Sequence, residues 1–242
     1  MLEKKVTETI SVENKDAIQK VKGFWDQYSK PIIYAGTAII LLIAGWYGYK
    51  YLIVEPREKE ASELIFPAEN LFDKMAVSGF NKDSVNIVIN GGELEGKKVT
   101  GLLKVISNFG STAAGNRAKY MTGASYLHIK EFDKAIKYLK DFDGNGASQV
   151  ESKANLMIGH AYAEQKKTTD ALSYYKKAAA INDKDEFFAA DALLVAAAYA
   201  DANGNSKDAI SLYQEVKEKY PANPSVQSGE IDKYLAKLGV LK

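Results

Sequence analysis

The sequence contains no cysteine and only two histidines among its 242 residues. The absence of cysteine excludes disulfide bonds, thiolate metal sites and cysteine nucleophiles. Proline is also scarce, with five residues, and glycine contributes 18. Because alanine, lysine, leucine and tyrosine are frequent instead, the composition favours a helical domain over a β-sandwich or a β-barrel.

Charge of either sign is missing from residues 31–49, a run of 19 residues. As a helix this run measures about 28 Å, which is close to the hydrocarbon thickness of a bilayer. Trp46, Lys50 and Tyr51 lie at the C-terminal end of this run, and such a mixture is typical of the membrane–water interface. A cleaved signal has a shorter apolar core nearer the start. The sequence therefore predicts a retained transmembrane helix over residues 31–53, in contact with the lipid bilayer.

Residues 1–30 are predicted to be a short charged arm with an amphipathic helix. Four apolar residues recur there at helical spacing and share one face: Ile18, Val21, Trp25 and Tyr28. Such a helix either lies in the membrane interface or is solvated, and the sequence leaves both alternatives open. Four lysines precede the span within 20 residues, and three basic residues follow it closely. This difference alone does not decide the orientation.

The region from Arg57 onward is electrically balanced, with 25 basic and 25 acidic residues. A nucleic-acid-binding domain needs a basic surface, and no block of lysine or arginine supplies one here. We therefore predict no nucleic-acid partner.

Three segments of the distal region align with one another: residues 116–142, 152–178 and 189–216. Each has a small residue, an aromatic residue three positions later, an alanine nine positions further and a large residue four after that. The matching residues are Gly123, Tyr126, Ala135 and Leu139; Gly159, Tyr162, Ala171 and Tyr175; and Ala196, Tyr199, Ala209 and Tyr213. In the third segment the interval from tyrosine to alanine is ten residues, and we assign the extra residue to the turn DANGN.

This skeleton resembles the tetratricopeptide repeat (TPR), a helix–turn–helix unit of about 34 residues. Gly123 and Gly159 are predicted to let the first helix of a unit approach its second helix closely. One unit cannot bury its apolar face alone, so units stack. The predicted fold is therefore all-α, with one N-terminal transmembrane helix followed by a TPR-type α-solenoid.

The flanking regions are less regular. Residues 57–77 have the period of a helix, and one broad apolar face is predicted to contain Ala61, Leu64, Ile65, Ala68, Leu71, Phe72 and Met75. Residues 54–110 are predicted to form membrane-proximal helices of a divergent repeat, residues 111–223 three TPR-like repeats, and residues 224–242 a single C-terminal capping helix. Residues 85–89 alternate like a strand but equally suit a short helix that ends at Gly91, so the structure of residues 81–98 stays open. We expect a helix over residues 99–109 and a loop over residues 108–115.

No catalytic motif accompanies this architecture. The sequence has no His-x-x-x-His pair, no Ser-His-Asp set and no glycine-rich phosphate loop placed between a strand and a helix. The sequence DFDGNG lacks the glutamate that would complete a calcium loop. We therefore predict a protein that is not an enzyme and has no cofactor, metal ion or small-molecule substrate.

The concave face of a TPR stack is lined by the first helices of its units and contacts peptides or partner domains. By that geometry, seven residues of the first two units are candidates for a partner-binding groove: Arg117, Tyr120, Leu127, His128, Lys153, Leu156 and His160.

The layout of a charged arm, one span and TPR-like units is similar to the YfgM-like ancillary subunits of the bacterial SecYEG translocon. The segments that carry this resemblance are FPAENLFDKMAVSGF, STAAGNRAKYMTGASYL, EFDKAIKYLKDF, AYAEQ and IDKYLAKLG. The resemblance implies an inner-membrane protein with a cytoplasmic N-terminus and a periplasmic C-terminal domain beside the translocon. It also implies binding to emerging chains or to periplasmic chaperones, including a membrane-anchored prolyl-isomerase-like partner.

Two alternative functions stay open. The protein could be a scaffold for another envelope complex, in outer-membrane assembly or in cell division. It could also be a structural subunit that acts mainly through its transmembrane helix. The sequence identifies neither the partner nor the oligomeric state.

Overall fold

The computed structural model describes the backbone of residues 2–240 and the side chains of residues 18–240. The protein is 79% helical, which confirms the predicted helical fold class. The chain divides between Pro56 and Arg57 into two compact units.

The first unit contains helix α1, Leu2–Tyr49, and a π-helical segment, Lys50–Val54. Helix α1 covers both the predicted arm and most of the predicted span. In the part of the chain that the structure describes, one helix is long and apolar enough to cross a membrane. Its central residues are exposed, with Leu41 and Leu42 at 66% and 74%.

Helix α2, Glu55–Ser78, leads into the second unit and buries the apolar face that the sequence predicts. Five residues of this face are buried: Ala61, Ile65, Ala68, Leu71 and Met75. The remaining two, Leu64 and Phe72, pack partly buried against the same core. These residues recur every three or four positions, so they share one side of the helix.

Helix α3, Lys82–Asn90, settles one question that the sequence leaves open. Residues 85–89 are helical, and the strand alternative is wrong. The side chain of Asn81 accepts a hydrogen bond from the Ser84 amide at 2.8 Å and caps the first turn. Val85, Val88 and Ile89 are buried, at the spacing of three and four residues that one face of a helix produces. The alternation of apolar residues over positions 85–89 therefore does not indicate a strand.

A two-stranded antiparallel hairpin, absent from the predicted all-α fold, follows α3. Strand β1, Gly92–Leu94, pairs with strand β2, Lys97–Val99, and Glu93 faces Lys98. A Cβ atom on Gly101 would lie 2.3 Å from the backbone nitrogen of Gly91, so only glycine fits where the two segments cross.

The helix predicted over residues 99–109 starts later because Val99 belongs to β2. It is α4, Leu102–Phe109. The loop predicted over residues 108–115 is shorter, since the next helix begins at residue 113. The Thr112 hydroxyl oxygen accepts a hydrogen bond from the Gly115 amide at 3.0 Å and caps that helix.

Three helical hairpins form the distal part of the second unit, and each corresponds to one of the aligned sequence segments. Their helices are α5, Ala113–His128, and α6, Phe132–Lys140; α7, Ser148–Glu164, and α8, Thr168–Ile181; and α9, Glu186–Ala202, and α10, Ser206–Lys219.

Close helix approach in the first two hairpins is as predicted. A Cβ atom on Gly123 would lie 2.5 Å from Leu139 Cγ, and one on Gly159 would lie 2.5 Å from Tyr175 ring carbons. The second helices contribute Ala135, Ala171 and Ala209, and each of these residues is fully buried. Small residues therefore face large ones at each crossing, which suits close packing.

The turn of the third hairpin is not longer than the other two, so the predicted site of the extra residue is wrong. Each turn has three residues, and the middle one, Lys130, Lys166 or Gly204, has a positive φ. In each turn, the amide of the residue that follows this one donates to the carbonyl oxygen of the residue five positions before it. The accepting residues are Tyr126, Tyr162 and Ala200 in the three turns. Counted from the turn, Ala197 and Ala200 occupy the places of Gly123 and Tyr126, instead of Ala196 and Tyr199.

Two short helices follow the repeats instead of the single predicted capping helix. They are α11, Pro224–Gln227, and α12, Glu230–Lys237, and they are separated at Gly229, which has a φ of 71°. Ile231 and Leu235 are buried, and Leu238 packs partly buried against the same core. This pair covers apolar residues of the last repeat, as a terminal cap must.

Candidate binding cleft

Helix α2, helix α5 and the connection between α6 and α7 enclose a cleft in the second unit. Its volume is about 600 Å³, within the usual size range of ligand pockets. Sixteen residues line it: Phe66, Glu69, Asn70, Phe72, Asp73, Ala113, Asn116, Arg117, Tyr120, Met121, Phe142, Asp143, Gly144, Asn145, Ala147 and Val150.

Aromatic side chains form much of the cleft wall. Phe66 of α2 is 61% exposed although it neighbours the buried Ile65. Tyr120 of α5 lies against Phe142, with ring centroids 5.4 Å apart. Phe72 is partly buried and contacts Phe80 edge to face. Phe66 is exposed, whereas Phe72, Tyr120 and Phe142 are partly buried, and an aromatic lining of this kind is typical of a binding cleft.

Helix α2 is fixed to the start of α5 by polar contacts. Both carboxylate oxygens of Glu58 accept hydrogen bonds from the Ala113 amide, at 2.9 and 3.0 Å. A carboxylate at a helix N-terminus is stabilised by the free amides and the helix dipole. Arg57 donates to the carbonyl oxygen of Asn108 at 2.6 Å.

The connection between α6 and α7 is fixed to α5 through Asn116. The Asn116 side-chain amide donates to the Asp143 carbonyl oxygen at 2.6 Å, and its oxygen accepts from the Asp143 amide at 3.0 Å. Asp143 Oδ1 in turn accepts from the Asn145 amide at 2.9 Å. This third wall is therefore formed in advance, which lowers the entropic cost of binding.

The charges around the cleft are predominantly negative. Glu69, Asp73 and Asp143 contribute three carboxylates, and Arg117 contributes the one guanidinium in the lining. Arg117 Nε donates to Glu69 Oε1 at 2.8 Å, so this cation is already paired within the wall. Burial raises the pKa of the Tyr120 hydroxyl above its ordinary value, and the phenol stays neutral at physiological pH.

Two of the seven predicted groove residues, Arg117 and Tyr120, lie in this cleft. Leu127 is partly buried and packs against two neighbouring groups of buried apolar residues. His128 stacks on Phe80 with ring centroids 3.7 Å apart, and burial lowers the pKa of its imidazole. Its ring therefore covers the segment after α2 and is not among the residues that line the cleft.

The three candidates on α7 also lie outside the cleft lining. Lys153 is exposed, and Leu156 packs against the core of the later helices. His160 Nδ1 lies 3.0 Å from the Tyr175 hydroxyl, within its own hairpin. Burial lowers the pKa of the His160 imidazole, and the nearby Glu164 carboxylate partly offsets this.

The sequence-based prediction missed the contribution of α2. Phe66 is next to the predicted apolar face but does not belong to it, so the available signal is an aromatic residue outside the helical period. Phe142 falls in the inter-repeat turn, where it has no periodic partner. Both residues lie in the cleft only because α2 packs along α5, which repeat geometry alone does not specify.

The lining residues carry carboxylates, amides, a paired guanidinium and a neutral phenol. Within the described residues, no group of three or more histidine, aspartate or glutamate side chains is arranged to hold a metal ion. The arrangement suits recognition of a polypeptide through apolar contacts and charge. The absence of enzymatic activity stays a prediction.

Comparisons with known proteins agree with the fold. Residues 191–223, which include all of α10, match the tetratricopeptide repeat. The structure is similar to that of a Podosopora anserina protein whose TPR-like repeats are nearly identical to one another, with a TM-score of 0.51 and 14% identity to this chain. The similarity covers 74% of this chain and 91% of that one, and a single-residue variant of it gives the same values. No curated protein matches the chain.

These findings confirm the TPR resemblance in its general form. At 14% identity the similarity shows a common fold and no shared partner. A TPR-type stack indicates a role in protein–protein interaction.

Proposed function

We propose that the protein is a membrane-anchored interaction module that holds partner polypeptides in the cleft between α2 and α5. The observation that carries this proposal is the cleft itself, an aromatic, largely preformed groove on a TPR-type stack. Tethering raises the effective concentration of the groove near its targets, so even weak binding is sufficient for occupancy.

Membrane attachment is assigned to residues 31–53. Their apolar side chains are exposed in the first unit, and a run of this length spans a bilayer as a helix. Lys50 lies 5.6 Å from the Trp46 ring and 5.8 Å from the Tyr51 ring, at the end of the run. Such a cluster suits the headgroup region, where aromatic and basic side chains are enriched.

The more specific proposal is an accessory subunit of the SecYEG translocon in the bacterial inner membrane. Its support is the sequence resemblance to the YfgM-like subunits, which also assigns the arm to the cytoplasm and the second unit to the periplasm. There it engages emerging chains or periplasmic chaperones.

The orientation can be tested directly because the native chain has no cysteine. Single cysteines at Ser173 and at Gln19, both exposed, provide a probe on each side of the span. In cells with a permeabilised outer membrane, a membrane-impermeant maleimide labels S173C but not Q19C if the proposed orientation is correct. The reverse labelling pattern would contradict it.

The partner is tested by cross-linking in cells, purification of the full chain in mild detergent and mass spectrometry. Recovery of translocon subunits and envelope chaperones supports the specific proposal. A reproducible set of partners without the translocon refutes it and favours a scaffold of another envelope complex. Deletion of residues 1–52 separates the last alternative, since a subunit that acts through its span then loses all partners.

A further inference from the structure

We infer that the cleft binds a short apolar peptide segment that carries a lysine or arginine beside its bulky side chains. This inference rests on the proposed function and specifies the partner's chemistry.

The apolar part of the inference follows from the aromatic wall. Phe66 projects from α2 with 61% of its surface exposed, opposite the contacting pair Tyr120 and Phe142. A leucine or phenylalanine side chain placed among these rings would remove apolar surface on both sides from water, which is favourable in proportion to the area. Because the walls of the cleft are preformed, the protein loses little further conformational entropy on binding.

The basic part follows from the unbalanced charge of the lining. Three carboxylates and one guanidinium give a formal charge of −2. Arg117 is paired with Glu69, and no ion pair among the described side chains involves Asp73 or Asp143. A lysine or arginine of the occupant therefore meets two carboxylates that have no competing cation.

The same charges disfavour other occupants. Phosphate groups of nucleic acids or anionic lipids would meet like charge at Asp73 and Asp143, which opposes their binding. A second copy of this chain is an alternative occupant, and it makes a separate prediction about oligomeric state.

The test uses the full chain in nanodiscs of phosphatidylcholine, a lipid without net charge. The probe is a fluorescent nine-residue peptide with a central Leu-Phe-Leu cluster and a lysine on each side. Two matched peptides replace the lysines by glutamate or the apolar cluster by serine. Fluorescence anisotropy, corrected with empty nanodiscs, should show that the lysine peptide binds at least tenfold more tightly than either.

Two pairs of variants then locate the site. Phe66→Ala should weaken binding about tenfold, as expected for an aromatic residue at the centre of an interface. Phe187→Ala is its control, since Phe187 is equally exposed at 63% but lies on α9 outside the cleft. Asp73→Lys should weaken binding of the lysine peptide about fivefold and reduce its salt dependence. Asp191→Lys on α9 is the control for this charge reversal.

Four outcomes overturn the inference: equal binding of the lysine and glutamate peptides, equal binding of the apolar and serine peptides, equal losses in F66A and F187A, or equal losses in D73K and D191K. A concentration-dependent dimer that F66A dissociates would identify a second copy as the occupant instead. Thermal unfolding of each variant tests whether it is folded. Because each substituted residue is exposed, we expect every variant to fold. Peptide binding without translocon subunits in cells would leave this inference standing and refute the specific function, so the two failures are distinguishable.

Discussion

In the hairpins α5–α6 and α7–α8 a glycine faces the second helix, whereas in α9–α10 the corresponding residue is Ala197. The aromatic residue three positions later changes as well. Within their own hairpins, Tyr126 stacks on Tyr138 and Tyr162 lies against Tyr174 in a tilted arrangement. The third hairpin has Ala200 at that place. Neighbouring Tyr199 instead contacts Tyr175 of the preceding hairpin, with ring centroids 6.0 Å apart.

This difference shows that the repeat fold accepts either glycine or alanine at the place where the two helices of a hairpin cross. Gly159 lies opposite Tyr175 in the second hairpin, and Ala197 stands at the equivalent place in the third. The interiors of both hairpins are buried. The third hairpin has Ala200 where the other two have a tyrosine. Its aromatic contact is made instead by Tyr199, with the second hairpin.

The largest effect is expected when the glycine of the second hairpin is replaced. A Cβ atom in Gly159→Ala would lie 2.5 Å from two carbons of the buried Tyr175 ring, so the ring or a helix must shift. We expect a loss of about 2 kcal/mol in the free energy of unfolding, since overpacking typically costs 1–3 kcal/mol. Urea unfolding followed by circular dichroism measures it.

Gly23→Ala in α1 is the matched control, because nothing lies within 4 Å of a Cβ atom there. It should leave the unfolding of the second unit unchanged. A stability of G159A equal to that of the native chain would mean that the hairpin has room for an alanine.

The opposite substitution in the third hairpin should also destabilise. Ala197→Gly removes a fully buried methyl group and adds backbone freedom in the helix interior, which costs about 1 kcal/mol. Stabilisation by A197G would instead indicate that the third hairpin is overpacked and needs the glycine of the other two. The same unfolding measurement decides between these outcomes.

A smaller gain is expected in the first hairpin from Thr122→Val. Thr122 is fully buried, and its hydroxyl has no hydrogen-bond partner among the side chains and backbone that the structure describes. Counted from the turn, the second and third hairpins have Ile158 and Ala196 at this place. Replacement of an unsatisfied hydroxyl by a methyl group of similar shape should stabilise by roughly 0.5–1 kcal/mol. A clear loss would show that the hydroxyl is bonded in solution.

The smallest effect depends on pH and belongs to the second hairpin, because His160 corresponds to alanines in the other two. Burial lowers its pKa in the folded state below the unfolded value of about 6.5. As pH falls through this unfolded value, the unfolded state takes up the proton first and stability decreases. His160→Asn keeps a polar group near the Tyr175 hydroxyl and should flatten this decrease between pH 7.5 and 5.5. An unchanged dependence of stability on pH in H160N would exclude His160 as a cause of it. Part of this dependence is expected to persist in H160N, because the pKa of His128 is lowered too.

Much of the repeat architecture was predictable because it follows from local periodicity. The glycines at positions 123 and 159 and the apolar face of α2 are where the sequence places them. The register of the third hairpin was misassigned because Ala196 and Ala197 are equally small, and only the hydrogen bonds of the turn distinguish them. The β1–β2 hairpin has three-residue strands, too short for any alternation to be visible.

The cleft was only partly predictable for a different reason. Arg117 and Tyr120 follow from their place on the first repeat helix. Phe66 and Asp73 come from α2, which has no counterpart in the repeat pattern and reaches α5 across more than 30 residues of chain. Contacts between such distant segments leave no periodic trace in a sequence.

The same distance has a consequence for the order of events during synthesis. Ala61, Ile65 and Ala68 leave the ribosome well before α5, whose Ala114 and Ala118 belong to the same core. At typical elongation rates of 5–20 residues per second, this apolar face remains for seconds without α5. The cleft itself requires Val150, the last residue of its lining, so a partner that binds there recognises only chains that have been extended into α7.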